Sequence, residues 1–157
     1  MEYIMQNKLK PGDLLYRKKG IVEHAGVYLG QDRVIHNSPN GNTQITSLKD
    51  YSNEKEVKVI SNNFTKAQQE NLITEAENYL SIDKKYNLLN FNCEHLASAF
   101  LEEKPSSKQL QGAALGAGTA FALAHKMKSN NLLLLTILGG AIGCAMVNSM
   151  RKYDHLV

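Results

Sequence analysis

In NFNCEHLASAF (residues 90–100), Cys93 stands two residues before His95, with Glu94 between them. Three roles suit such a cysteine: nucleophile, metal ligand, or small core residue. Asn92 is a favoured N-cap, because its side chain accepts a hydrogen bond from an otherwise unpaired backbone N–H. Cys93 is therefore expected to be the first residue of a helix. Unpaired N–H groups at a helix start favour an anion, so the thiol pKa is expected to fall there. The same groups can hold an oxyanion. His95 is poorly placed as a base, since residues i and i+2 of a helix point apart. It is expected to be structural, its ring bonded to nearby backbone. Glu94 is what the dipole favours in a first helical turn.

The better bases are His24 and His36, twelve residues apart. They fall on adjacent strands of a predicted hairpin, where side chains meet across the pair. If that sheet packs against the helix at Cys93, one imidazole can act as base and the other can orient it. A zinc site built from His24, His36 and Cys93 uses legal ligands, but nothing in the spacing selects it. Tyr28 and Asn92 are further candidates, as pocket wall or for oxyanion stabilisation. Cys144 lies in an apolar Gly/Ala segment and reads as packing.

The elements that must position these residues follow from punctuation and period. Pro11-Gly12 marks a turn before a short strand. Residues 21–30 (IVEHAGVYLG) read as a strand ending at Gly30, and Arg33–His36 as its hairpin partner, followed by a loop at Asn37–Gly41. EVKVI (56–60) alternates as a further strand. At Thr65 the period changes: Thr65 and Gln68 fit a capping box, and Leu72, Ile73, Ala76, Tyr79 and Leu80 predict a helix over 66–81. The second helix carries Leu96, Ala97, Phe100 and Leu101 on its buried stripe and stops at Pro105. Strands followed by helices define an α+β domain.

The remainder is different in kind. Of 18 basic and 15 acidic residues, only five and one fall in 105–157, so the first 104 residues carry a net −1 and the tail +4. Residues 109–125 and 129–150 hold no charged side chain and are joined by Lys126-Met127-Lys128. The second segment is long enough to cross a bilayer. Gly112-x-x-x-Gly116 and Gly139-x-x-x-Gly143 are spacings that let helices approach closely. The tail has neither arginine clusters nor aromatics between its charges, which argues against nucleic acid as a partner. Two cysteines make no disulfide framework and suit a reducing compartment. The N-terminal residues show no apolar core of a secretory signal. The expectation is an intracellular, membrane-associated protein.

NCEHLASAF resembles the Asn-Cys-Glu-His-Phe signature of the lecithin–retinol acyltransferase family, which includes the small phospholipase/acyltransferases. GDLLYRKKGIVEHAGVYLGQDRVIHNSP is similar to that family's N-terminal block: Gly-Asp, then His-x-x-x-Tyr-x-Gly, then a second histidine. The resemblance covers roughly residues 11–104 and extends loosely to a hydrophobic C-terminal anchor. It implies a circularly permuted papain-like fold, related to bacterial NlpC-type peptidases. It divides the chain into a catalytic domain over 1–104 and a Gly/Ala-rich helical hairpin or membrane anchor over 105–157. It implies Cys93 as acyl-accepting nucleophile, His24 as general base, His36 as third polar residue, and no cofactor or metal. Two positions depart from the pattern. Ala25-Gly26 follows His24 where mammalian members carry a bulky aromatic, and Leu96 replaces the aromatic after His95. The small pair is expected to open the pocket beside His24, admitting a different substrate, including a peptide.

The expected activity is that of a lipid acyltransferase or phospholipase A working through a Cys93 thioester. Its partners would be a phospholipid or other acyl ester, and a membrane met through residues 109–150, with self-association through the same segment. Two alternatives remain: a thiol peptidase or amidase on the same fold, and a non-catalytic membrane-associated adaptor whose tail carries the function.

Overall fold

The computed structural model describes residues 9–82, 84–102 and 105–157. The secretory-signal expectation rests on residues 1–16, of which 1–8 lie outside the described residues, as do residues 103–104 beside the boundary at 104/105. The elements are β1 (Leu14–Lys19), β2 (Val22–Gly30), β3 (Arg33–Ser38), β4 (Asn42–Ser47), α1 (Leu48–Ser52), β5 (Val57–Ile60), α2 (Lys66–Ser81), α3 (Cys93–Glu102), α4 (Lys108–Lys126), α5 (Leu132–Met150) and β6 (His155–Leu156). They make an α+β fold.

The strands form one sheet in the order β4-β3-β2-β1-β5-β6. Alternation sorts its side chains. Leu14, Tyr16, Ala25, Val27, Leu29 and Ile35 pack with Leu72 and Ala76 of α2 and with Leu96, Ala97 and Phe100 of α3. The intervening Leu15, Tyr28 and Val34 pack with Val57, Val59 and Tyr51 of α1 on the other face. The capping box that opens α2 is formed: the Gln68 N–H donates to Thr65 Oγ1 at 3.3 Å, and the Thr65 N–H donates to Gln68 Oε1 at 2.9 Å.

Three elements escaped the sequence reading. β4 extends the hairpin to three strands, pairing His36 with Gln44 and Val34 with Thr46. α1 is a single turn, capped by Ser47 Oγ on the Asp50 N–H at 3.0 Å. β6 is two residues that return to the sheet edge, pairing Lys58 with Leu156 and Val59 with His155.

The chain divides into two compact units. One holds the described residues up to Lys18, those of His24–Ser106, and Lys152–Val157; the other holds Lys19–Glu23 and Ser107–Arg151. In the second unit α4 and α5 pack along their glycines. A Cβ on Gly112 or Gly116 would strike the carbonyl oxygen of Gly143 or Gly139 respectively, and the converse holds. The same unit has a polar base. The side-chain amide of Gln109 takes the Glu23 N–H at 2.8 Å and donates to the Glu23 carbonyl at 2.8 Å. Asn148 Nδ2 donates to the Ile21 carbonyl at 3.1 Å and to Gln109 Oε1 at 3.2 Å. Cys144 is buried there, its thiol 3.8 Å from Gln109 Oε1.

Candidate active site

His24 and His36 come from β2 and β3. The register sets Gly26 opposite His36, which makes His24 a diagonal neighbour on the same face. Their rings meet edge to face with His24 Nε2 3.0 Å from His36 Nδ1. His36 Nε2 lies in turn 3.2 Å from Thr46 Oγ1 on β4. Both histidines are buried. A chain of this kind fixes ring orientation and tautomer, since each N···N or N···O contact takes one proton.

Tyr51 of α1 completes the support. Its ring stacks on His24 at 5.6 Å between centroids and stands edge-on to His36 at 5.4 Å. Its hydroxyl is shared between the carbonyls of Leu15 at 2.8 Å and of His24 at 2.7 Å. Glycine at position 26 makes room for it: a Cβ there would fall 2.8 Å from Tyr51 Cε2 and 2.9 Å from Val34 Cγ1. The expected open space after His24 is therefore filled, by Tyr51 over Gly26 and by the core around the fully buried Ala25.

Cys93 is the first residue of α3, as expected. NCEH proves to be a cap. Asn92 Oδ1 accepts from the Glu94 N–H at 2.9 Å and the His95 N–H at 3.1 Å. His95 Nδ1 accepts in return from the Asn92 N–H at 3.3 Å. This is a capping box in which a histidine takes the place usually held by Glu or Gln. An accepting Nδ1 needs a neutral ring, and burial lowers the His95 pKa, with Lys84 adding to the effect against Glu94. Asn92 Nδ2 also holds the Leu88 carbonyl at 2.9 Å, and the buried Asn37 of β3 donates to the Phe91 carbonyl at 2.7 Å. These bonds tie the start of α3 to the hairpin that carries the histidines.

Cys93 is half-buried. Burial raises its pKa, and Glu94 adds to this; N–H groups of Ala25, Glu94 and Cys93 itself act the other way. The helix start thus pulls in the expected direction, but loss of solvent is the larger effect. The Ala25 contact also locates the sulfur. Tyr28 exchanges bonds with Gly12 and Asp13, so alternate N–H groups of β2 turn toward β1 and that of Ala25 turns toward β3. The β2–β3 register runs only to Gly26 and His36. The sulfur meets Ala25, the residue after His24, where that ladder ends. Tyr86 lies close enough to Cys93 that charge on the sulfur would raise its phenol pKa, although burial is the larger cause. Tyr28 sits on the Tyr51 face, its hydroxyl taking the Asp32 N–H at 3.3 Å. Among the described residues no group of three His, Cys, Asp or Glu is arranged to hold a metal ion.

Sequence reasoning missed Tyr51, Thr46, Asn37 and Tyr86. Thr46 and Tyr51 sit in polar stretches without period and reach the histidines only through the folded sheet and the short helix beside it.

Fold and site together define an α+β protein with paired imidazoles on a β-hairpin and a helix, tied to that hairpin through Asn37, that begins at a cysteine. The chain belongs to the lecithin retinol acyltransferase family, which it matches over residues 7–105. It is 28% identical over 137 aligned positions to the human protein "Phospholipase A and acyltransferase 4", covering 73% of this chain and 82% of that one.

Proposed function

We propose that this chain is a membrane-associated, cysteine-dependent acyltransferase or phospholipase A, with Cys93 as nucleophile, His24 as base and His36 as the group that orients it. The observation that carries the reading is the 3.0 Å contact between His24 Nε2 and His36 Nδ1, backed by Thr46. It commits Nε2 of His24 to His36, and in this reading the other ring nitrogen, Nδ1, receives the proton from sulfur. The family supports the substrate class, as does the activity in the relative's name. Histidines precede the cysteine in the chain, in keeping with a circularly permuted papain-like, NlpC-type arrangement. Residues 1–104, joined by the returning Lys152–Val157, would form the catalytic part, and the helical residues Ser107–Arg151 the membrane-facing part.

The cycle starts from a neutral thiol, so deprotonation accompanies attack. The Cys93 proton passes to His24 Nδ1 as sulfur bonds to the carbonyl carbon of a lipid ester. The oxyanion forms against backbone N–H groups around the sulfur. The ester C–O bond then breaks, and the alcohol leaves with the proton from His24. The remaining thioester is attacked by water, or by an amine or hydroxyl whose proton goes to His24, and the thiol is restored.

The test is intact-protein mass spectrometry after incubation with phosphatidylcholine vesicles, on the wild type and Cys93→Ala. A gain of one fatty acyl group, removed by hydroxylamine and absent from Cys93→Ala, is expected. The absence of both an adduct and released fatty acid would overturn the lipid reading.

A further inference from the structure

We infer that α4 and α5 cross the bilayer together as a transmembrane hairpin, with residues 127–131 on the face opposite the catalytic unit. This rests on the membrane association proposed above and adds its topology.

Among the described residues, only α5 is long and apolar enough to cross a membrane by its own composition. A lone crossing would leave the residues after it on the far side. They are instead knit into the catalytic unit. Val57 and Val157 exchange both backbone bonds, at 3.0 and 2.9 Å. Asp154 donates its N–H to the Val59 carbonyl at 2.8 Å and accepts the Ser61 N–H on its carboxylate at 2.8 Å. Tyr153 packs edge-on against Tyr16 at 5.9 Å. The chain leaves that unit at Ser106 and re-enters it at Lys152. A folded unit lies on one side of a bilayer, so the intervening residues cross an even number of times.

Two crossings fit better than none. α4 and α5 have 19 residues each, about 28 Å at 1.5 Å per residue, against a hydrocarbon core of about 30 Å. Lys126 and Lys128 lie at the tip, Lys108, Arg151 and Lys152 at the base, and no charge lies between. A hairpin that stopped half-way would leave two lysines in the hydrocarbon centre, the costliest place for them. One lying flat would need a polar face to leave in water. Exposed Leu115, Phe121 and Leu123 on α4, with Leu133, Ile137 and Ile142 on α5, supply apolar surface instead. The glycine faces meet each other, so the weakly apolar side of α4 is turned away from lipid.

The test uses the full chain carrying Cys93→Ser and Cys144→Ala, made by cell-free synthesis with sealed phosphatidylcholine/phosphatidylserine vesicles outside. Single substitutions Lys49→Cys, Asn130→Cys and Leu156→Cys are then probed with an impermeant maleimide before and after detergent. Labelling at 49 and 156 without detergent, and at 130 only with it, is expected. Protection at 156 would show a single crossing and overturn the hairpin while leaving membrane association intact. Labelling of all three on floating vesicles overturns the crossing alone. A chain that does not float with vesicles overturns both readings.

Discussion

Glu23 and Arg151, 128 residues apart in the chain, form an ion pair of 3.0 Å with side chains only 5% and 8% exposed. Arg151 is the C-cap of α5, and Glu23 immediately precedes His24. The Glu23 backbone is held as well, by Gln109 on both its N–H and its carbonyl. Removing one partner of a buried pair strands the other, at a cost of about 3–5 kcal/mol. Arg151→Met should therefore lower the thermal midpoint of the detergent-solubilised chain markedly. Arg151→Met combined with Glu23→Gln should restore most of the loss. Equal loss in the single and double variants would mean that the pair is not what stabilises the end of α5.

The Cys93 thiol should react slowly at neutral pH in the absence of substrate. Burial holds its pKa above that of a free thiol, and the opposing N–H groups do not overcome it. The iodoacetamide alkylation rate should rise with pH, with a midpoint above that of a free cysteine. The same shift bears on stability. Its contribution is fully present below the unfolded-state pKa of cysteine and is lost as pH rises through the folded-state value. Cys93→Ser should therefore flatten the alkaline limb of the unfolding curve. An acidic alkylation midpoint would instead reveal a preformed thiolate–imidazolium pair.

His24 and His36 should behave as one unit. His24→Ala removes the proposed base and should lower kcat about 10²–10⁴-fold, the range for general base catalysis. His36→Ala should lower it by less. The double variant should be no slower than His24→Ala, because orienting an absent ring has no value. Tyr51→Phe keeps the stacked ring but leaves the carbonyls of Leu15 and His24 without that hydroxyl, a cost of about 1–3 kcal/mol. Steady-state rates and denaturant unfolding of the four variants check both statements. Multiplying losses in the double variant would sink the coupling.

What could be read in advance was whatever a local pattern encodes. Asn92 before Cys93 announced a helix start, Thr65 and Gln68 announced another, and four glycines at spacing four announced a close helix pair. Alternation along β2 put His24 on a strand. What escaped depends on distant partners. β4 reads Asn-Thr-Gln-Ile-Thr-Ser, too polar for an apolar alternation, and is a strand because β3 pairs with it. α1 is one turn, too short to show a period, yet it brings Tyr51 against both histidines. Two residues, His155 and Leu156, cannot announce a strand at all. The thiol pKa went the wrong way for the same reason. The helix start is local and legible, whereas the burial that outweighs it comes from the assembled core.

His95 offers the sharpest separation of structural from catalytic roles within the NCEH motif. Its Nδ1 accepts the Asn92 N–H, the bond that a Gln or Glu side chain makes in an ordinary capping box. If that is its task, His95→Gln should keep the helix start, costing no more than about 1 kcal/mol and leaving the rate near that of the wild type. His95→Leu is similar in bulk but cannot accept, and should lose both stability and rate. Losing α3's first turn would displace Cys93 from the Ala25 N–H. Rates for the two variants, read beside their unfolding midpoints, decide the matter. A His95→Gln protein that is fully folded yet inactive would mean that the imidazole takes part in the chemistry.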